Sequence, residues 1–441
     1  MTFMTLCAIW GIVALLALLF LGMHIGLAMI LVGFVGYAQV VNFNAAMGVL
    51  RNVPATQASN FALVVIPLFI LMGNFAFASG MSESLYNTGN KWLSRLPGGL
   101  SCATIAACAG FGAICGSVPA TTATMGTVAI PEMRRYHYAD SLTTGSVAVG
   151  GTLGILIPPS TPLVVYGIIA EQSIGRLFLA GIVPGVLLTI ILCITVVAMV
   201  KRNPSLAGES VGYTWRERLA SLKGLTWMAV LFVSVFYMMF SGIFTINEAA
   251  AGGAFLAMLI AFIRGRLPWK TFTSVMMDSV KTTSMVFLVL IGAVVFGNFL
   301  AITRLPMTLA DLVASLAVSK YVIFALVVVI YAILGCFMDA LPMIMLTVPI
   351  FLPIVTQLGF DPIWFGVTII LIMQMGCITP PVGLSCYVVS GIARDIPLST
   401  IFRGAVPFVL AILITIVIVT ALPDLATWMP NLVYGPGRGS L

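Results

Sequence analysis

Long apolar stretches separated by short polar loops run through the whole chain. About ten stretches, among them 6–20, 186–200, 226–240 and 406–421, carry few or no charges and supply most of the roughly 20 apolar residues that a spanning helix needs. The first stretch has neither a basic flank nor a small-residue cleavage site, so we interpret it as a retained helix and not as a signal peptide. The pattern predicts an all-α polytopic membrane protein.

Composition agrees with that class, because 61% of the 441 residues are hydrophobic and only 7% are charged, whereas soluble domains are about a quarter charged. The net charge of +7 comes from basic residues scattered along loops, which favours the lipid bilayer over nucleic acid as the partner. The eight cysteines form no C-x-x-C pair, so we predict packing roles for them and no metal site of that kind.

The distribution of basic residues predicts the orientation, since cytoplasmic loops carry the excess of Lys and Arg. The basic clusters lie at 91–95, 134–135, 201–223, 264–281 and 394–403. With these clusters inside, segment 98–133 enters and leaves on one side, so we predict a re-entrant helical hairpin with its polar tip at 116–122. Segment 321–359 is broken at 338–342 and has no basic flanks, which predicts a second hairpin that opens on the periplasmic side. Both termini are then periplasmic, in a bacterial inner membrane.

The two hairpins belong to an internal repeat with an offset of 222 to 224 residues. The matching positions are Gly73-Asn74-Phe75 with Gly297-Asn298-Phe299, Gly112 and Pro119 with Gly335 and Pro342, and Gly154 and Pro158-Pro159 with Gly376 and Pro380-Pro381. Three near-constant offsets indicate a duplicated unit that covers roughly 24–200 and 247–422.

The basic residues also predict the relative direction of the two copies. Helix 61–80 runs inward and its counterpart 284–303 runs outward, so the repeats are predicted to be inverted. Inverted repeats with Gly/Pro-interrupted segments are typical of secondary transporters that bind substrate near the bilayer midplane. Each copy also contains a more polar stretch, 42–60 or 267–283, which we predict to be an interfacial arm helix.

Four interruptions converge by this symmetry: the two hairpin tips and the Pro-containing loops 155–162 and 377–383. Proline frees backbone carbonyls, which suit Na⁺, and the helix that follows offers N–H groups that suit a carboxylate. Asp339 is the one ionisable residue that we predict deep in the membrane, where a carboxylate indicates function. The alternative role for Asp339 is a structural helix cap.

At these interruptions the sequence resembles the large membrane subunit of tripartite ATP-independent periplasmic (TRAP) transporters. The most specific runs are 112–126 (GAICGSVPATTATMG), 130–133 (IPEM) and 154–160 (GILIPPS). The resemblance implies an elevator mechanism, with a transport domain made of 97–201 and 321–422. Residues 1–96 and 202–320, with the two arm helices, would form the scaffold, and 423–441 a C-terminal tail.

The resemblance further implies two bound Na⁺ ions, a small four-helix membrane subunit and a periplasmic substrate-binding protein that delivers a small organic anion. The implied ligands are Gly112, Ser117, Gly154, Ile157 and Ser160 for one ion and Gly335, Asp339, Gly376, Thr379 and Val382 for the other. For the substrate, we expect contacts with Ser117, Thr121, Thr122, Pro159, Asp339, Pro342 and Pro380. No organic cofactor is expected.

Two alternatives to a TRAP-type subunit remain open at this point. The same fold suits a stand-alone Na⁺/dicarboxylate-type carrier that needs no binding protein. An intramembrane enzyme would need a nucleophile with a base, or a metal cluster, inside the spans, and there the sequence offers only Asp339 without a histidine. We therefore expect transport and not catalysis.

The predicted orientation places Glu248 and Arg304 on the periplasmic surface, where a binding protein would dock. Reversing the charge at both positions is expected to lower binding-protein-dependent uptake into reconstituted vesicles. Unchanged uptake by the doubly reversed protein would argue against docking at these two residues.

Overall fold

The computed structural model describes residues 3–208, 212–315 and 318–435, and the regular secondary structure of these residues is helical. The first ten helices are α1 (Phe3–Phe20), α2 (Ile25–Val40), α3 (Phe43–Ala58), α4 (Val65–Ala78), α5 (Met81–Leu93), α6 (Gly99–Cys115), α7 (Val118–Arg135), α8 (Asp140–Thr152), α9 (Thr161–Ile169) and α10 (Ile174–Arg202). The remaining helices are α11 (Trp215–Phe240), α12 (Ile246–Ile263), α13 (Trp269–Thr303), α14 (Leu305–Ser315), α15 (Lys320–Gly335), α16 (Ala340–Gln357), α17 (Pro362–Gly376), α18 (Leu384–Ile392), α19 (Leu398–Ala421) and α20 (Asp424–Tyr434).

Within the described residues, eight helical segments are long and apolar enough to cross a membrane. They are α1, α10, α11, α12, α13, α16, α19 and the segment Phe61–Ala78, in which a short 3-10 helix (Phe61–Val64) leads into α4. Four shorter apolar helices, α2, α6, α15 and α17, add to these. The chain is therefore an all-α polytopic membrane protein, as the hydropathy pattern predicts.

The order of the helices repeats along the chain. Helices α5 to α10 have their counterparts in α14 to α19, and α2 has its counterpart in α12. Both hairpins are present, as α6 with α7 and as α15 with α16, and both following helices are interrupted. The opposite orientation of the two copies in the membrane stays a prediction.

The arm helices of the two copies differ from the predicted pair. The first arm is a separate helix, α3, because Ser59 and Asn60 end it and the Asn60 side chain accepts a hydrogen bond from the backbone N–H of Ala62. Residues 267–283 do not form a separate helix, and most of them belong to the 35-residue α13. No Gly or Pro interrupts this stretch between 269 and 291, so the helix continues into the apolar segment.

The predicted C-terminal tail is also different in the structure, because its first part forms α20 and packs on α10. The Arg176 guanidinium donates hydrogen bonds to the carbonyl oxygens of Tyr434 (3.1 Å) and Gly435 (2.7 Å). A cation at the last carbonyls of a helix stabilises its C-terminal end. Residues 436–441 lie outside the described residues.

Small residues allow close helix packing in two separate groups of helices. In the first group α2 packs along α13, where a Cβ atom at Gly26 would lie 2.8 Å from the Leu288 carbonyl oxygen. In the second group α8 packs on α6, α7 and α19, and a Cβ at Gly145 would lie 2.4 Å from the Gly404 carbonyl oxygen. Such contacts replace the hydrophobic effect as the force between helices in lipid.

An ion pair joins the end of the first hairpin to the second half of the chain. Arg134 donates to both carboxylate oxygens of Asp395, at 3.3 and 2.6 Å, and to Asp140 at 3.1 Å. The hydrogen bonds from Arg134 lower the pKa of Asp395, so this carboxylate stays charged. The contact connects the loop after α18 to the C-terminal end of α7.

Candidate functional site

The first hairpin tip is a two-residue turn that reverses the chain between α6 and α7. Gly116 adopts a left-handed conformation (φ 61°) and its N–H bonds the Gly112 carbonyl oxygen, which closes the end of α6. Ser117 is extended, its side chain caps no N–H group, and Pro119 occupies the first turn of α7, where the missing proline N–H is not needed. The tip therefore presents the N-terminal end of α7.

The second hairpin tip differs in chemistry because Asp339 stands immediately before α16. One carboxylate oxygen, Oδ1, accepts a hydrogen bond from the backbone N–H of Ala340 at 2.8 Å. Asp339 is thus a helix N-cap, which is the structural role that the sequence left open. The other oxygen makes no hydrogen bond with the described residues and remains able to bind a cation or a donor.

Each interrupted helix has a loop with a Pro-Pro pair whose peptide bond is cis, Pro158-Pro159 in the first and Pro380-Pro381 in the second. In the first loop, the Ser160 hydroxyl donates to the Ile155 carbonyl oxygen. In the second loop, the Thr379 hydroxyl donates to the Met375 carbonyl oxygen at 2.6 Å. Both hydroxyl protons are occupied, and the Ser160 oxygen also accepts from the Leu163 N–H at 3.4 Å. Each hydroxyl oxygen still has a lone pair for another partner.

Glycine pairs bring each hairpin against the interrupted helix of the same copy. A Cβ atom at Gly112 would lie 2.5 Å from the Cα atom of Gly154, and one at Gly376 would lie 2.6 Å from the Cα atom of Gly335. No other residue type fits at such distances. The two pairs occupy equivalent positions in the repeat. They bring Gly112 next to Gly154 and Gly335 next to Gly376, and all four residues are predicted ion ligands.

The hairpin tips and the first interruption enclose a cavity of about 310 Å³, near the lower end of the range for small-molecule sites. Its wall combines three kinds of segment. These are the tips 115–120 and 339–342, residues Ile155, Thr161 and Pro162 of the first interruption, and Ile70, Asn74, Thr282, Met285, Val286 and Val289 of α4 and α13.

Three helices, α7, α9 and α16, begin at this cavity. Their N-terminal N–H groups and dipoles favour a negatively charged ligand. No Lys, Arg or His lies among the described lining residues, and Asp339 is the charged one. An anion would therefore be bound by backbone N–H groups, by hydroxyls such as that of Ser117, or by a cation held next to it.

A second cavity of about 620 Å³ shares Met285, Asp339 and Pro342 with the first. It extends along the outer side of hairpin 2 to the turn between α1 and α2, where His24 lines it. The His24 Nδ1 atom is buried without a hydrogen-bond partner. The tip of hairpin 2 thus forms part of the wall of both cavities.

The chain matches the family described as "Tripartite ATP-independent periplasmic transporter, DctM component" over residues 12–425. It belongs to the TRAP transporter DctM family. The predicted resemblance is thereby confirmed.

Curated relatives carry names that state different substrates. The chain is 36% identical to the C4-dicarboxylate TRAP transporter large permease protein DctM of Pseudomonas aeruginosa, over 85% of this chain and 87% of that protein. It is 33% identical to the sialic acid TRAP transporter large permease protein SiaM of Vibrio cholerae, over 96% and 98%. It is 36% identical to the isethionate TRAP transporter permease protein DctMQ of Oleidesulfovibrio alaskensis, over 83% of this chain and 58% of that longer protein.

A solved structure shares the fold at low sequence identity. The Alcanivorax borkumensis YdaH transporter superposes with a TM-score of 0.53 at 17% identity, over 86% of this chain and 88% of that one. The relatives are transporter permeases, in agreement with the expectation of transport and not catalysis.

Not all of the predicted substrate residues of this TRAP subunit line the cavity. Ser117, Asp339 and Pro342 do, whereas Pro159 and Pro380 do not. Thr121 and Thr122 are fully buried behind the tip. The Thr122 hydroxyl shares a hydrogen bond of 2.9 Å with Ser385, so it is occupied by the packing of α7 on α18.

Thr121 carries an unpaired hydroxyl at the first glycine pair. Its Oγ1 atom is buried with no hydrogen-bond partner among the described residues, and a Cβ at Gly154 would lie 3.1 Å from it. A buried polar atom without a partner needs an explanation. The sequence predicts a substrate contact for Thr121, and the structure places this residue beside Gly112 and Gly154.

The two predicted docking residues, Glu248 and Arg304, are both exposed. Glu248 also forms a capping box with Thr245, whose backbone N–H and hydroxyl both donate to the Glu248 carboxylate, at 2.7 and 2.9 Å. Arg304 ends α13 in a left-handed conformation (φ 54°). Charge reversal at Arg304 is therefore the cleaner test, because Arg304 caps α13 through its backbone N–H, whereas Glu248 caps α12 through the side chain that the reversal replaces.

The sequence did not identify the residues of α4 and α13 that complete the cavity. Asn74 donates from its amide nitrogen to the Ser279 hydroxyl at 2.8 Å, which joins the two helices beside the cavity. The signal was present, since Gly73-Asn74-Phe75 recurs as Gly297-Asn298-Phe299, but it served only to define the register of the repeat.

The glycine pair of the first copy gives a direct prediction. Gly112→Ala adds a Cβ where the Gly154 backbone leaves no room, so we expect a loss of about 1–3 kcal/mol of stability from overpacking. Gly391→Ala is the matched control, because that helical glycine has no atom within 4 Å of an added Cβ. Thermal unfolding in detergent measures both variants, and equal melting temperatures would contradict the close contact.

Proposed function

We propose that this TRAP-family subunit is a sodium-coupled secondary transporter that imports a small organic acid delivered by a periplasmic binding protein. The observation that supports this function best is the cavity between the two hairpin tips, where three helix N-termini meet Asp339. The site favours an anion at its N–H groups and lacks a basic side chain among its described lining residues. A bound cation would supply the missing positive charge.

We propose two sodium sites, one behind each hairpin tip. The first would use carbonyl oxygens near Gly112 and Gly154 with the hydroxyls of Thr121 and Ser160. The second would use carbonyl oxygens near Gly335 and Gly376 with Asp339 and Thr379. Carbonyl, hydroxyl and carboxylate oxygens are suitable ligands for a hard cation. The support is geometric, since each glycine pair lets backbone oxygens approach closely and the Thr121 hydroxyl has no partner.

We further propose that residues 97–201 and 321–422 move as a transport domain against the scaffold. The cavity wall supports this division, because the tips form one side and α4 with α13 form the other. On the scaffold side, Asn74 lies in the second half of α4 and Thr282 lies beside the arm portion of α13. Both positions are nearer the predicted cytoplasmic ends, which corresponds to an inward-facing state.

The partners follow from the family and remain part of the proposal. A small membrane subunit and a periplasmic binding protein would complete the transporter, and the name of the longer relative, DctMQ, suits a fusion of two permease parts. The names of the relatives include C4-dicarboxylate, isethionate and sialic acid. All three are small organic acids, so we propose this substrate class without choosing among its members.

The test uses the permease co-purified with its small subunit and reconstituted into vesicles. Uptake of a labelled organic acid should require both an inward Na⁺ gradient and the substrate-loaded binding protein. Uptake that persists without the binding protein would instead support a stand-alone carrier. Uptake that persists after replacement of Na⁺ by K⁺ would contradict sodium coupling.

Within the same assay, Asp339→Ala and Asp339→Asn separate the two roles of this residue. Asn still caps the N-terminus of α16 but carries no charge, so we expect both variants to lose uptake and only Ala to lose additional thermal stability. The loss of a cap costs about 0.5–2 kcal/mol. Normal Na⁺-dependent uptake by Asp339→Asn would show that the carboxylate charge has no role.

A further inference from the structure

The Gly-Asn motif has different surroundings in the two copies of the repeat, where it is Gly73-Asn74 and Gly297-Asn298. In the first copy, the tip of hairpin 1 packs on Gly73. A Cβ at this glycine would lie 3.0 Å from the Cys115 Cα atom and 3.2 Å from the Ile114 carbonyl oxygen. The next residue, Asn74, lines the substrate cavity. Gly73 is thus the scaffold position on which hairpin 1 packs, and we call such a position a dock. It has no room for a side chain.

The space beside the equivalent glycine of the second copy, Gly297, is unoccupied. A Cβ at Gly297 would have no atom within 4 Å, and Asn298 is partly exposed. The residues that correspond to Ile114 and Cys115 are Phe337 and Met338. They line the second cavity instead, and the Phe337 ring contacts the Phe20 ring with 5.4 Å between centroids. Hairpin 2 therefore does not pack on Gly297, which is the second dock by the repeat register.

Part of the remainder of that second dock is exposed as well. Thr282, Met285 and Val286 line the present cavity, and the repeat register pairs them with Ala58, Phe61 and Ala62. All three of these partners are exposed, Phe61 to 68%, whereas Val65, the counterpart of Val289, is buried. A partial counterpart of the cavity wall is thus present on the scaffold without a hairpin against it.

Helix geometry places Val286, which lines the present cavity, and Gly297 on the same face of α13. Gly297 follows Val286 by three helical turns, so it faces the same way about 16 Å further along the axis. An isolated glycine in a helix costs roughly 0.5–1 kcal/mol relative to alanine, and Gly297 has no close neighbour in this conformation that requires it. A second conformation in which backbone packs on Gly297 explains why glycine occupies this position.

We propose that Gly297 and Asn298 form the scaffold wall of the substrate cavity in the opposite state of transport. Hairpin 2 then packs Phe337 and Met338 on Gly297, as hairpin 1 now packs on Gly73. Asn298 takes the place of Asn74 and becomes the scaffold residue that contacts the organic acid. This inference rests on the proposed two-state transport, and it assigns a substrate contact that exists only in the outward-facing state.

A bulky side chain at Gly297 tests the dock. Gly297→Leu fits the present conformation, so the protein should fold and retain its small subunit, but it blocks the second dock and should lower uptake by about tenfold or more through the shifted population. Gly48→Leu is the matched control, since it is another scaffold-helix glycine with no atom within 4 Å of an added Cβ. Wild-type uptake by Gly297→Leu would overturn the proposal. Loss of the small subunit would do the same, because the surface would then be a subunit interface.

Cross-linking reports the two docks without relying on activity. Ile70→Cys should be bridged to the native Cys115 by a short bifunctional thiol reagent in the present state, because both residues line the first cavity. The repeat register pairs Ile70 with Val294, so Val294→Cys with Met338→Cys should be bridged only when hairpin 2 reaches the second dock. Cross-linking of the first pair should fall as the second rises when external substrate and Na⁺ are varied. A second pair that never forms in an actively transporting protein would contradict the assignment.

The Asn298→Ala variant tests the substrate contact, with Asn74→Ala for comparison. We expect Asn298→Ala to raise the KM for external substrate and to leave folding unchanged. An unchanged KM would remove Asn298 from the site. If wild-type vesicles show no Na⁺-dependent uptake, the proposed function itself fails, whereas active wild type with unaffected Gly297 and Asn298 variants rejects this inference alone.

Discussion

The site depends on two places where backbone crosses backbone with nothing between, Gly112 on Gly154 and Gly335 on Gly376. In lipid, non-helical backbone is tolerated only when protein or water satisfies its polar groups. By packing directly on a hairpin, each interrupted helix buries its loop in protein and keeps its carbonyls away from the lipid. The loops, the cis Pro-Pro pairs and the converging helix ends all rely on this close approach, which one methyl group would prevent.

The two halves of the site are alike in shape but not in charge. Asp339 stands at the N-cap of α16, the position that Ser117 holds at α7, so one tip carries a carboxylate beside an otherwise neutral cavity. Because the described lining has no basic side chain, the binding of cations and the binding of an anion should favour each other. In the sodium-coupled transport that we propose, this mutual dependence would provide the coupling, and it would arise from the absence of a fixed counter-charge as much as from Asp339.

The sequence predicted both hairpins, both interruptions and the glycine register because Gly, Pro and lone polar residues are distinctive in an apolar chain. It could not separate the cavity wall from the layer behind it, since only the packing of the hairpin decides that Ser117 at the tip lines the cavity while Thr121 and Thr122 on α7 are buried. It also missed Asn74, whose role depends on helix packing between distant segments. The continuous α13 was not predicted because its polar first half contains no Gly or Pro that ends the helix, and α20 was not predicted because it lies beyond the end of the repeat.

The contact of Arg176 with the last carbonyls of α20 has a practical consequence for observing motion. This contact fastens the C-terminal helix to α10, in the half of the chain that contains the hairpins. In contrast, α1 packs on α2 and α13. If the transport domain moves against the scaffold as we propose, a fluorophore near Tyr434 and another near Phe3 would lie on different moving bodies, and energy transfer between the two labels would change with each transport cycle.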